Sequence, residues 1–185
     1  LESLVQAAAA AANEPYYKVA AEALRVGAAS ASAVALVPDK KRRVALADAL
    51  AKTALERVSA NDQDQEVKEA AIAAAGATLA ALADAIDDDS LAEESESKTS
   101  AALVRALLER RGDAATRERA ADALAAALQR AGPALDATLF DPASGLATLA
   151  LAKLVAHFRD AREDRALKVA GLDAVAALFE RRSVS

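Results

Sequence analysis

The sequence predicts an all-α protein, a stack of about four helical hairpins. Three observations predict it. Hydrophobic residues make up 54% of the 185 positions while aromatics make up only 3%, because alanine dominates. Alanine, leucine, glutamate, lysine and arginine at this density favour helix almost everywhere, and no run alternates as a strand would. Turn residues break the helical pattern at regular intervals. One short pattern then returns about every 50 residues.

The elements follow in order. The first apolar segment runs from Leu1 to about Ala12 and stops at "NEP". Pro15 suits a first helical turn, where its missing N–H costs nothing. A second helix is expected from Tyr16 to about Val37, broken at Pro38. The third spans about Arg42 to Ser59, and the turn "ANDQDQ" leads into a fourth that ends near Ile86. An acidic, serine-rich loop is expected over residues 87–98. The fifth helix is about Thr99 to Arg111 and the sixth about Ala115 to Ala131, closed by Gly132–Pro133. "ALDATLFDPAS" reads as a less regular piece. The seventh is about Gly145 to Arg159, and the eighth about Arg162 to Arg181. That makes eight antiparallel helices, in units of about 1–37, 39–86, 99–131 and 135–183, forming one segment.

The second helix of each pair opens alike: "EPYYKVAA" from Glu14, "DQEVKEAA" from Asp64, "DAATRERA" from Asp113 and "DRALKVAG" from Asp164. An acid stands first, an apolar residue or Thr fourth (Val67 in the second unit), a cation fifth and a small residue eighth. The cations Lys18, Lys68, Arg117 and Lys168 fall 50, 49 and 51 residues apart. An acid at the helix start accepts orphan backbone N–H groups and complements the helix dipole. The fourth residue begins a buried stripe, such as Val67, Ala71, Ala75, Leu79, Leu82 and Ile86, or Leu167, Gly171, Val175 and Phe179. The small eighth residue admits a neighbouring helix. Gly27, Gly76 and Gly171, inside helices, are expected at close crossings. The recurring acids and cations are expected to bridge adjoining units as a ladder. Hairpins this long cannot bury their faces alone and must stack into a solenoid. Acid–x–x–apolar–cation on the second helix of a long hairpin is the HEAT-repeat signature.

The net charge of −5 argues against a dedicated nucleic-acid binder, and no apolar run reaches the roughly 20 residues of a membrane span. Without cysteine there is no disulfide framework and no thiolate zinc site. Having no methionine, even at position 1, suggests a piece of a longer chain. The single histidine, His157, lacks a partner base or nucleophile at useful spacing and reads as an edge residue near a helix C-terminus. The acids of 87–98 lack the spacing of a calcium loop. Ser90, Ser95 and Ser97 among them are candidate sites for an acid-directed kinase. "DKKRR", Asp39 to Arg43, is basic enough for an import signal, but reads better as the solvated entry to a helix. No catalytic, cofactor-binding or metal-binding residue is expected.

Four stretches in order, "EPYYKVAAEALRV", "DQDQEVKEAAIAAAGATLAALAD", "LLERRGDAATRERAADALAAAL" and "REDRALKVAGLDAVAALFERRS", resemble the middle of the cullin-associated and neddylation-dissociated family, long HEAT solenoids of eukaryotes. Many bulky core positions of that family are alanine here, and the acidic segment 87–98 is peculiar to this chain. The resemblance implies a non-enzymatic scaffold that wraps an unmodified cullin–RING complex and promotes exchange of substrate-receptor adaptors, this segment lying in its central arc. It implies a protein partner, no cofactor, a monomer when unbound, and residence in cytoplasm and nucleus. The alternative is another HEAT scaffold, such as a nuclear-transport receptor or a phosphatase scaffold.

Overall fold

A computed structural model describes residues 1–60, 64–85, 94–130, 133–160 and 163–184. Among them are nine helices and no strand: α1 (Glu2–Ala11), α2 (Tyr17–Val34), α3 (Lys40–Ser59), α4 (Gln65–Ala85), α5 (Glu94–Leu108), α6 (Ala114–Arg130), α7 (Pro133–Phe140), α8 (Leu146–Arg159) and α9 (Arg165–Val184). They form two layers. In one, the second helices stack in chain order: α2 on α4, α4 on α6, α6 on α9. In the other, α1 packs on α3, α3 on α5, and α5 on α7 and α8. This is an α-solenoid of stacked hairpins, with one core running continuously from Val5 to Leu178.

Contacts between units carry the repeat length in their numbering. Thr99 donates to Asp48, and the Arg110 guanidinium donates to the carbonyls of Val58 and Ala60. Gln65 donates to the Thr116 hydroxyl at 3.4 Å. In each case the partners lie 50 to 52 residues apart. Positions of equal rank in successive units therefore meet, as translation by one hairpin requires.

The caps follow the predicted logic in three units of four. Asp64 Oδ1 accepts from the N–H groups of Glu66 (2.9 Å) and Val67 (3.2 Å). Asp113 Oδ1 accepts from Thr116 N–H at 2.8 Å, and Asp164 Oδ1 from Ala166 N–H at 2.7 Å. Each satisfies a donor that the first helical turn leaves without a partner. Glu14 does not cap: α2 begins only at Tyr17, the N-cap is Tyr16, and no side chain accepts there. Pro15 accordingly lies before the helix rather than in its first turn. Pro15 keeps Glu14 out of helical geometry, and Tyr16 is itself extended at ψ 111°, so the helix starts beyond both. Asp39 caps α3 through Arg42 N–H at 3.0 Å, so "DKKRR" is indeed a helix entry.

Three expectations need correction. The piece expected to be irregular contains α7, so the hairpin count of eight helices becomes nine among the described residues. The expected stop at Gly132 lies outside the described residues, while Pro133 opens α7 from its first position, where proline is preorganised. Asp141, just before Pro142, ends it. Gly145, at φ 61°, then turns the chain into α8. The segment 87–98 is not all loop either, because α5 already begins at Glu94; residues 86–93, with Ser90 and with Ile86 of the expected stripe, lie outside those described. Finally, the stripe of the fourth unit ends on an exposed Phe179 (55%), although Leu167 is fully buried. Helix α9 packs on α6 and α8, and its buried face runs through Leu167, Ala170, Ala174 and Ala177. Phe179 lies off that face.

The alanine richness has its cause in α4. This helix packs against α2, α3, α5 and α6 at once. Ala70, Ala71, Ala74 and Ala75 are all buried in it, as are Val67, Ile72, Leu79 and Leu82. A helix surrounded on this many sides is apolar nearly all round, and small side chains let the neighbours come close. A close approach is at Gly76: a Cβ there would stand 3.0 Å from both the Cβ and the carbonyl oxygen of Ala123 on α6.

Candidate partner-binding groove

The eighth-position small residues are all buried: Ala21, Ala71, Ala120 and Gly171. Of the fourth positions, Val67, Thr116 and Leu167 are buried, whereas Tyr17 is 38% exposed and stacks edge-on against Tyr16. The repeat signature is thus structural where it is complete. Its cations do not share one partner. Lys18 sits over the Tyr17 ring at 5.8 Å. Arg117 grips Glu163 of the next unit with both guanidinium nitrogens, one at 2.9 Å, and this pair is mostly sheltered. The bridge reaches Glu163, one residue before the cap Asp164, not the cap itself. Lys68 acts across units on Asp113. That carboxyl is held below its ordinary range first by hydrogen bonds from Thr116 and then by the charges of Lys68 and Arg117. Of the expected ladder, then, one direct bridge by a recurring cation is present among the described residues, Arg117–Glu163 between the third and fourth units, while Lys68 reaches Asp113 only through its charge.

His157 is half-buried in the last turn of α8. Burial, and next the charge of Arg117, lower its pKa, so the ring is neutral at neutral pH. The space beside it holds about 10 Å³, too little for a ligand. Among the described residues, no group of three or more His, Cys, Asp or Glu could hold a metal ion. No helix among them is long and apolar enough to cross a membrane.

A large, mainly apolar concavity lies elsewhere among the described residues, on the layer of second helices. It crosses α2, α4 and α6 and encloses about 530 Å³. Its floor is alanine, chiefly Ala73, Ala77, Ala80, Ala123 and Ala126, with Gly76 at the crossing of α4 and α6. Charges stand along it. Arg119 on α6 pairs with Glu69 on α4 at 3.1 Å, closing one side. Asp122 and Arg130, both on α6, are exposed, and neither has an ion pair among the described residues. Burial raises the Asp122 pKa, and Asp173 on α9 raises it further. A second concavity, beside Lys68, Arg110 and Arg111, is polar, and Arg110 is committed there to the carbonyls that end α3.

The sequence pattern pointed to caps and stripes, and missed this groove. A signal was present. Ala73, Ala77 and Ala80 fall on the side of α4 away from its core stripe, where a solvent-facing helix would carry charges. The same holds for Ala126 on α6.

The layered stack defines a helical-repeat scaffold. Residues 1–75, α1 to the middle of α4, match the family described as CAND1-like, TPR repeats, so this part of the chain is similar to a CAND1-like helical-repeat segment. The resemblance drawn from the sequence is borne out there. A tetratricopeptide unit is about 34 residues, whereas the units here recur at 49 to 51, closer to HEAT length. No curated protein and no solved structure matches the chain.

Proposed function

We propose that this chain is a non-enzymatic scaffold, an arc of a cullin-binding exchange factor acting in cytoplasm and nucleus. It would hold an unmodified cullin–RING complex while substrate-receptor adaptors exchange. The observation that carries this reading is the CAND1-like match over 1–75, which falls on the same continuous stack as the rest of the chain. A rigid two-layer stack suits the task, because binding over a long surface needs no reacting group, only preorganised helices. The test is co-purification with an unmodified cullin–RING complex, with and without residues 1–185 in the full-length protein. Weaker capture and slower adaptor exchange on deletion are expected. Equal capture and equal exchange would sink the reading.

A further inference from the structure

We propose that the groove across α2, α4 and α6 takes one amphipathic α-helix of a protein partner, with bulky apolar side chains on its buried face, a Lys or Arg beside Asp122 and an Asp or Glu beside Arg130. The proposal rests on the scaffold reading and names the surface and the chemistry by which such a scaffold would hold a partner.

The occupant follows from the floor. Alanine methyls and Gly76 offer neither donors nor acceptors, and the helix backbones beneath them are already paired internally. An extended segment laid there would bury unpaired N–H and C=O groups against methyls, at a cost of a few kcal/mol each. A helix brings its backbone bonds with it, so only side chains meet the floor. The floor side chains are small and the groove encloses about 530 Å³, so the partner must supply the bulk.

The charges set the pattern on that helix. Arg119 is engaged by Glu69. Among the described residues Asp122 and Arg130 are not engaged, and they have opposite signs. They lie eight residues apart on α6, roughly 12 Å along its axis. The charge of Asp173 on α9 also reaches Asp122, which adds to the negative field a partner cation would meet there. Mixed signs on one groove disfavour a nucleic-acid backbone, which wants cations throughout.

The probes are three fluorescein-labelled 18-residue helical peptides, with leucines along one face and two charges eight residues apart. One carries Lys and Glu, one carries two Glu, and one carries two Lys. Fluorescence anisotropy with the whole 185-residue chain should favour the Lys/Glu peptide by about tenfold. D122K should shift the preference to the two-Glu peptide, and R130E to the two-Lys peptide, each by a similar factor. A126W, at an exposed floor position, should abolish binding of all three while the circular dichroism at 222 nm is unchanged. Failure of every peptide to bind, preferences that do not follow the swaps, or undiminished binding by A126W would each overturn the proposal. So would sedimentation showing a second copy of the chain seated in the groove. Cullin–RING capture without charge-matched peptide binding overturns the groove and leaves the scaffold reading. Charge-matched binding without cullin–RING capture does the reverse.

Discussion

Two glycines inside helices should respond to alanine with opposite signs. In a helix interior, Gly→Ala gains about 1 kcal/mol from propensity alone. At Gly27 the new methyl would meet only the tip of Leu50, its Cδ2 at 3.5 Å, an ordinary contact with a mobile group. Gly27→Ala should therefore stabilise by about 0.5–1 kcal/mol. At Gly76 the methyl would stand 3.0 Å from Ala123 Cβ, 3.0 Å from its carbonyl oxygen and 3.3 Å from its Cα. Carbon contacts settle near 3.5–4.0 Å. Two of those atoms are backbone of α6, so no rotamer change relieves them, and α4 and α6 must separate. Overpacking of this kind costs about 1–3 kcal/mol. Subtracting the propensity gain leaves Gly76→Ala destabilised by about 1 kcal/mol. The two variants should thus differ by about 2 kcal/mol, or several degrees in Tm for a chain of this size. Urea denaturation followed at 222 nm, with the slope checked for constancy, measures both. If Gly76→Ala proves as stable as Gly27→Ala, the close crossing of α4 and α6 is wrong.

Three further outcomes follow from the geometry. Asp64→Ala, Asp113→Ala and Asp164→Ala should each cost about 1 kcal/mol in thermal denaturation, while Glu14→Ala costs close to nothing, because only the first three cap a helix; equal losses at all four would contradict the capping assignment. A double-mutant cycle on Arg117→Met and Glu163→Gln should return a coupling of about 1 kcal/mol, larger than for the exposed pair Arg25–Glu66, since the Arg117–Glu163 side chains are 26% and 12% exposed against 45% and 42%; a coupling no larger than the exposed pair's would remove the bridge from the stack's energetics. Carboxyl ¹³C titration should place Asp113 below and Asp122 above the ordinary aspartate value. The lowered Asp113 contributes stability that is present above its unfolded pKa and lost as pH falls through its folded one. The raised Asp122 does the opposite, its contribution fading as pH rises through its folded value. A reversed order of the two midpoints would refute both assignments.

Much of the fold was legible in the chain because its rules are local or periodic. Asp64, Asp113 and Asp164 cap helices by hydrogen bonds that reach two or three residues along the sequence, so spacing alone reveals them. Val67, Thr116 and Leu167 begin buried faces because helical periodicity places them beside the small residues four positions on. The repeat of about 50 residues showed that hairpins must stack. Local signals misled where two rules competed: Pro15 displaced the start of α2 past Glu14, and Pro133, read only as a stop, opened α7.

The groove could not be read this way. Alanine at positions 73, 77, 80 and 126 has the same local chemistry as alanine in the core, and the sequence does not say which neighbour lies against it. Packing decided that. Once α2, α4 and α6 are laid side by side, with Gly76 drawing the last two together, some alanines are covered and others become a floor. Asp122 and Arg130 stand along that floor only because of the same placement. The sequence by itself determined most of the helices and three of the four signature caps, since those depend on neighbours a few residues apart, and the period of the stack, since one pattern recurs along the chain. Only the tertiary structure decided which surface is left concave, because that depends on distances between residues about 50 positions apart.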